Sequence, residues 1–243
     1  MLRHILASCF LCVAALLPGM ALAQISLTAA APVATQTFDK TDGKLFPAGV
    51  LPWTDNGTYP GWYAAVNGRA AENYRTTNGG SSSINPPVLV LRANGDNASF
   101  GVIRGEHKGN YLAGTIGVCV KNDTGKAIAA LKVSYTGKQW AQTPAGPDRL
   151  KVQFSSSATS LTQSGTSPWT DVPELEFQAP KSGAAALTAV NGNEPENCRQ
   201  IAATLKNLSL APGATFWLRW SGGEGRGAGQ TLAIDDFSIQ VAE

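Results

Sequence analysis

Apolar and polar residues alternate one for one over much of this chain. In Lys126–Trp140, the residues Ala129, Leu131, Val133 and Tyr135 alternate with Lys132, Ser134 and Thr136. Arg149–Phe154 sets Leu150, Val152 and Phe154 against Arg149, Lys151 and Gln153, and Ile116, Val118 and Val120 repeat the pattern. A period of two puts one side of a β-strand into a core and the other into water. Further strand signals lie at 87–92, 98–103, 174–178, 203–210, 215–221 and 231–241, separated by Gly, Pro, Asn and Ser clusters. Past the N-terminal segment no stretch sustains a helical period. About nine or ten short strands predict an all-β chain, an antiparallel two-sheet β-sandwich of jelly-roll type. The turn Asn122-Asp123-Thr124-Gly125 predicts a hairpin joining strand 112–121 to strand 127–137.

One irregularity stands out in the last strand. The inward phase runs Leu232, Ile234, then Phe237, Ile239, Val241, so it slips by one residue at Asp235-Asp236. A β-bulge makes such a slip by inserting one extra residue. Two adjacent carboxylates are therefore expected at a bulge.

Residues 1–23 read as a secretory signal peptide. Arg3 gives a positive start, Ile5 to Leu17 an apolar run, and Ala21-Leu22-Ala23 a small-residue cleavage site. The mature chain, 24–243, is expected outside the cytoplasm, extracellular or periplasmic. Residues 24–35 are small and uncharged and read as a loose leader before a single domain over 36–243. No later apolar run is long enough to span a membrane. Cys119 and Cys198 remain after cleavage. In an oxidising compartment they suggest one disulfide, the alternative being two unrelated buried thiols.

The chemistry available is narrow. Charged residues make up 15%, and Lys+Arg 19 nearly balance Asp+Glu 17, which excludes nucleic-acid binding driven by charge. His107 is the one histidine of the mature chain, set in the loop-like Gly105-Glu106-His107-Lys108-Gly109, and no Gly-x-Ser-x-Gly elbow offers it a serine. A single histidine and two distant cysteines make no zinc cluster. The glycine-rich 222–229 lacks the Gly-Lys-Ser/Thr ending of a phosphate loop. No catalytic set is assigned. Paired carboxylates stay open as a hydrolytic route, with Asp39, Asp55, Glu106, Asp171, Glu174, Glu176, Asp235 and Asp236 as candidates.

Aromatic residues are more suggestive. Trp53, Tyr59, Trp62 and Tyr63 fall close together with Asp55, Asn56 and Gly57 in a loop rich in Pro and Gly. Rings beside carboxylate and amide groups can stack on sugar faces and bond hydroxyls. The same rings can instead form a lid closing one end of a sandwich. Trp220 shares a face with Phe216 and Leu218 and is expected in the core, whereas Trp217 shares its face with Arg219 as a candidate exposed stacked pair. Four Asn-x-Ser/Thr sequons, at Asn56, Asn97, Asn122 and Asn207, read as turn chemistry.

Several pieces, in order, carry a resemblance. They are Thr37-Phe38-Asp39, Tyr59-Pro60-Gly61-Trp62-Tyr63, Ser134-Tyr135-Thr136-Gly137-Lys138-Gln139-Trp140, Phe216-Trp217-Leu218-Arg219-Trp220 and Leu232-Ala233-Ile234-Asp235-Asp236-Phe237. Together they resemble a bacterial secreted jelly-roll domain of the surface-associated, PEP-CTERM-sorted type, similar to carbohydrate-binding modules. Position 138 departs from that pattern, with Lys where the pattern has an acidic residue, and Gln240-Val241-Ala242-Glu243 carries no sorting tail. The resemblance implies a structural calcium ion, Ca2+, held by Asp235 or Asp236 with Asp39 as first-strand partner. A bulge does supply backbone carbonyls beside carboxylates, and calcium takes six to eight oxygens. The alternative is that one Asp caps the bulge while the other faces water.

These observations predict a secreted, non-catalytic recognition module whose partner is a polysaccharide or surface glycan, bound through Trp53, Asp55, Tyr59, Trp62 and Tyr63. A structural or adhesion protein, binding other proteins through a sheet edge or face, and a glycan hydrolase are the competing readings.

Overall fold

The alternation read from the sequence becomes two sheets facing each other across one apolar core. A computed structural model describes residues 25–39, 47–78, 85–92, 97–144, 147–163, 168–222 and 229–242. The signal peptide expected over 1–23 lies outside the described residues, as does the glycine-rich 223–228. Among the described residues no helix is long and apolar enough to cross a membrane.

The first sheet has nine strands. Its main path runs Thr170–Asp171, Arg149–Ser155, Thr215–Gly222, Asn110–Asp123, Trp62–Val66 and Arg69–Ala70. The second has eight, in the path Cys198–Leu205, Leu131–Gln139, Leu232–Val241, Ala98–Val102, Val88–Arg92, Asn73–Thr77 and Gly49–Pro52. Pairing is antiparallel except where Ile25–Thr28 joins Asn110–Asp123 and Asn73–Thr77 joins Val88–Arg92. The all-β sandwich is as expected, with more strands than the nine or ten read from the sequence. The excess comes from two- and four-residue strands too short to show a period, and from the N-terminal segment. Within the leader expected over 24–35, the described residues 25–35 are not loose. Ile25–Thr28 lies beside Asn110–Asp123, Val33–Gln36 lies beside Leu232–Val241, and Leu27 is fully buried.

The inward phases meet as predicted. Ile116, Val118 and Val120, with Phe216, Leu218 and Trp220, face Val133, Tyr135, Ile234, Phe237 and Ile239 in one cluster. The predicted bulge is present. Ser134 pairs with Ser238 and Thr136 with Asp235, so Asp236 and Phe237 together oppose Tyr135, and Asp236 takes φ 47°. The extra residue turns Phe237 back into the core and leaves Asp236 exposed.

The predicted hairpin at Asn122–Gly125 is not formed. Asn110–Asp123 belongs to the nine-stranded sheet and Leu131–Gln139 to the eight-stranded one, so the turn crosses between layers. Asn122 fixes the crossing: its buried amide donates to the carbonyls of Lys126, Leu210 and Ala211. A turn signal says that the chain reverses, and leaves open whether its flanks pair or part. The strand read at 174–178 is instead a 3-10 turn, Pro173–Leu175, followed by Phe177–Gln178, with Leu175 and Phe177 still buried.

Candidate functional site

The segment carrying the expected ligand contacts is part of the core. Trp53 stacks on Phe100 at 5.0 Å between ring centroids and 11° between planes. Trp62 is fully buried edge-on to Phe38 and Phe237. The Tyr59 hydroxyl donates to the Phe38 carbonyl at 2.9 Å. Asp55 is turned inward, its Oδ1 accepting from Trp53 Nε1 at 2.6 Å and from the Ala64 amide at 3.0 Å. Asn56, at φ 60°, accepts from the Gly61 amide, which is turn chemistry as expected for that sequon. Trp53, Asp55, Tyr59 and Trp62 thus form the lid, and the ligand platform expected from them is corrected. Three aromatic rings in a short segment gain more by closing the sandwich than by staying in water.

Tyr63 faces the other way, onto the outer side of the nine-stranded sheet. It is buried there, packed on Trp217 at 4.7 Å, beneath the segment that holds Ala158, Leu161 and Trp169. Burial pushes its phenol up to about 12. It is therefore not an open contact either. The expected Trp217–Arg219 stack is replaced. Trp217 is buried, and the Arg219 guanidinium lies over Trp169, 3.8 Å from the ring centroid.

The expected disulfide is absent. Cys119 and Cys198 are free thiols. Cys119 sits beside Tyr63 and Trp217 on the outside of the nine-stranded sheet, and burial pushes its thiol up to about 12. Cys198 begins an edge strand of the other sheet, opposite Lys138. The core lies between them, so they fall into the alternative reading of two unrelated thiols.

The carboxylates expected to hold calcium point to separate partners. Asp39 Oδ1 accepts from the Ala98 amide at 2.7 Å. Asp236 Oδ2 accepts from the Thr136 hydroxyl at 3.0 Å. Asp235 is almost wholly buried, and its Oδ2 receives the Lys138 ammonium at 2.5 Å while its Oδ1 accepts from the Asp236 amide. Burial pushes the Asp235 carboxyl up, against the opposing pull of Lys138, to about 6. The Lys138 ammonium also donates to Asn97 Oδ1 and Asn193 Oδ1, each at 2.7 Å. Among the described residues no three His, Cys, Asp or Glu side chains gather to hold a metal ion. A fixed cation already engages the best oxygen donors, so this residue set does not fit calcium.

What the fold does build is a groove of about 630 Å³ on the outer side of the eight-stranded sheet. Thr76, Thr77 and Asn78 line one part, Arg92 another, and Ala189, Val190 and Asn191 form the opposite wall against Trp140. Trp140 leaves its strand with its indole N–H on Ser99 Oγ at 2.8 Å. Its carbonyl accepts from the Val190 amide, and Ala141 pairs with Ala189, so the wall is stitched to the tryptophan. A side chain at Gly192 would meet the indole at 2.5 Å, which is why glycine stands there. Thr76 Oγ1 is buried in this region without a hydrogen-bond partner. Among the described residues lining the groove there is no carboxylate. These residues come from four distant parts of the chain, so no local motif announced them. Trp140 was the one visible signal, as a tryptophan on the polar phase of its strand.

A second cavity, of about 860 Å³, lies between the edges of the two sheets, lined in part by Asp171, Glu174, Phe154 and Leu205. Asp171 Oδ1 accepts from Gln153 Nε2 at 2.7 Å. His107 stands at the end of strand Arg104–His107, on a turn back to Asn110–Asp123, and lines neither cavity.

No protein-family model matches the chain, and no curated protein matches it. Solved structures with similar arrangements include a carbohydrate-binding module, TmCBM61, in complex with β-1,4-galactotriose (13% identity, 74% of this chain and 88% of that one, TM-score 0.33). They include the K3 cleaved adhesin domain of Lys-gingipain from Porphyromonas gingivalis W83 (12%, 74% and 91%, TM-score 0.42). They also include an arabinose-bound α-L-arabinofuranosidase, of which this chain covers 25% (12% identity, 84% of this chain, TM-score 0.40). At these scores the likenesses carry no argument about ligand or activity.

Proposed function

We propose that this chain is a secreted, non-catalytic recognition module, and that it takes a carbohydrate in the groove beside Trp140 rather than on the aromatic loop. The groove's lining carries the proposal. Hydroxyl, amide and guanidinium groups from Thr77, Asn78, Asn191 and Arg92 line a groove over the fully buried Trp140, with no carboxylate among the described lining. Mixed donors and acceptors in an open groove suit a polyhydroxylated ligand, and a site without an acid or base binds without cleaving. Residues 24–243, incubated with a panel of insoluble polysaccharides and cell-wall preparations, are expected to be retained by at least one of them. A folded protein retained by none would overturn the proposal; self-association in light scattering would then point to adhesion.

One observation favours a second reading. Asp171 and Glu174 line the same cavity, and a glycosidase needs two carboxylates flanking the scissile bond. Turnover of a chromogenic glycoside that is lost in Asp171→Asn would establish hydrolysis and displace the binding-only account.

A further inference from the structure

The departure at position 138 has a structural meaning. Lys138 lies on the outer face of the eight-stranded sheet, opposite Ala233 on one side and Cys198 on the other. Its side chain is 5% exposed and that of Asp235 1% exposed. The ammonium makes its contacts with three oxygens drawn from three separate segments: Asp235 at the bulge, Asn97 before strand Ala98–Val102, and Asn193 in the wall segment. One carboxylate and two amide oxygens around a single positive centre are the kinds of donor a hard cation takes. An ammonium has three N–H donors, and here all three have an acceptor.

We propose that the Lys138 ammonium is a tethered replacement for a structural metal ion. It fills an oxygen cage at the bulge and joins the last strand to the 190–197 segment with no ion taken from solution. Asn193, held by Lys138, in turn donates its backbone amide to Asn191 Oδ1, and Asn191 lines the groove. The cage therefore also sets the position of the groove wall. This last step rests on the carbohydrate reading; the cage itself does not.

Thermal unfolding tests the cage apart from any ligand. The native chain is expected to melt at the same temperature in calcium chloride and in EDTA. Lys138→Ala leaves Asp235 buried without its counter-charge and is expected to lower the melting temperature by roughly 10 °C. Methylammonium chloride is expected to restore part of that loss, because a cation that binds only the folded state stabilises it by mass action. Lys138→Met is expected to lose as much without rescue, because its stem fills the space. Lys138→Asp sets two carboxylates beside two amide oxygens and is expected to gain a calcium-dependent rise that the native chain lacks. That variant keeps the proposal testable should Lys138→Ala fail to fold. A calcium-dependent rise in the native chain, abolished by Asp235→Asn, would overturn the proposal. So would a Lys138→Ala variant as stable as the native chain, or one indifferent to methylammonium. If the native chain is retained by no polysaccharide while these melting results hold, the carbohydrate reading fails and the cage stands.

Discussion

Trp62→Ala is expected to destabilise the fold by about 3–5 kcal/mol, the usual cost of emptying a buried tryptophan site. The ring is fully buried and touches Phe38, Phe100, Trp220 and Phe237 at centroid distances of 4.8 to 6.1 Å. These aromatics come from both sheets and from the segment after strand Val33–Gln36, so the cavity has walls that cannot all collapse together. A domain of ordinary stability has about 5–15 kcal/mol in total, so this one change removes a large share. The denaturant midpoint should fall steeply with little change in slope. Trp62→Phe should cost much less, because the indole N–H is buried without a hydrogen-bond partner and its removal relieves an unsatisfied donor. The measurement separates two roles. A tryptophan on a ligand platform would lose binding on truncation and leave stability within about 0.5 kcal/mol. A drop of a few kcal/mol places Trp62 in the core, and an unchanged midpoint would return it to the surface.

Gly101→Val is the second large effect, and it acts on the sheet rather than on the core. Gly101 lies in strand Ala98–Val102 between Ala233 on one neighbour and Leu89 on the other. A Cβ built there would stand 2.4 Å from the Leu232 carbonyl oxygen, 2.6 Å from Ala233 Cβ and 2.9 Å from Ala233 Cα. Backbone and a Cβ have nowhere to go, so relief requires Ala98–Val102 to separate from Leu232–Val241 in the middle of the sheet. Overpacking typically costs about 1–3 kcal/mol, and a branched side chain against backbone belongs at or above the top of that range. The usual gain from removing a glycine, about 0.4–1 kcal/mol, does not offset it. Gly222→Ala is the control. Its nearest neighbour would be the flexible Arg104 side chain at 3.3 Å, so its midpoint should scarcely move. Equal effects at the two positions would refute the steric account of Gly101.

Period-two alternation made the strands and their inward faces legible, because it depends only on neighbours in sequence. The bulge at Asp235-Asp236 was legible for the same reason: a phase slip is local. Pairing was not. The strong turn at Asn122–Gly125 reads alike whether its flanks pair or enter different sheets, and the buried Asn122 amide decided the matter through Leu210 and Ala211, far along the chain. The short strands were missed because two residues carry no period. Residues 24–35 lacked charge and bulk and read as a leader, although Leu27 alone is enough to anchor a strand against the core.

The candidate site was less legible than the fold. Clustered aromatic residues signal burial and binding equally, and only depth separates the two. Trp53, Tyr59 and Trp62 went inward as the lid, and Tyr63 went beneath a cover on the outer face of the nine-stranded sheet. The groove residues are spread from Ala48 to Asn191, and nothing local links them before the chain folds. Lys138 was visible as a departure from a familiar pattern, but its meaning needed Asn97 and Asn193, which the sequence places 41 and 55 residues away.

The proposed recognition site is the groove beside Trp140. Ala189 tests it most directly, since it is exposed on the groove wall and a larger side chain there fills the groove without touching the core. The measurement is calorimetric titration of native chain and Ala189→Trp with a soluble oligosaccharide of whichever polysaccharide retains the protein. The account predicts that affinity falls about tenfold or more while the melting temperature stays within a degree or so. Undiminished affinity in a folded Ala189→Trp variant would contradict it and place the ligand elsewhere on the sandwich.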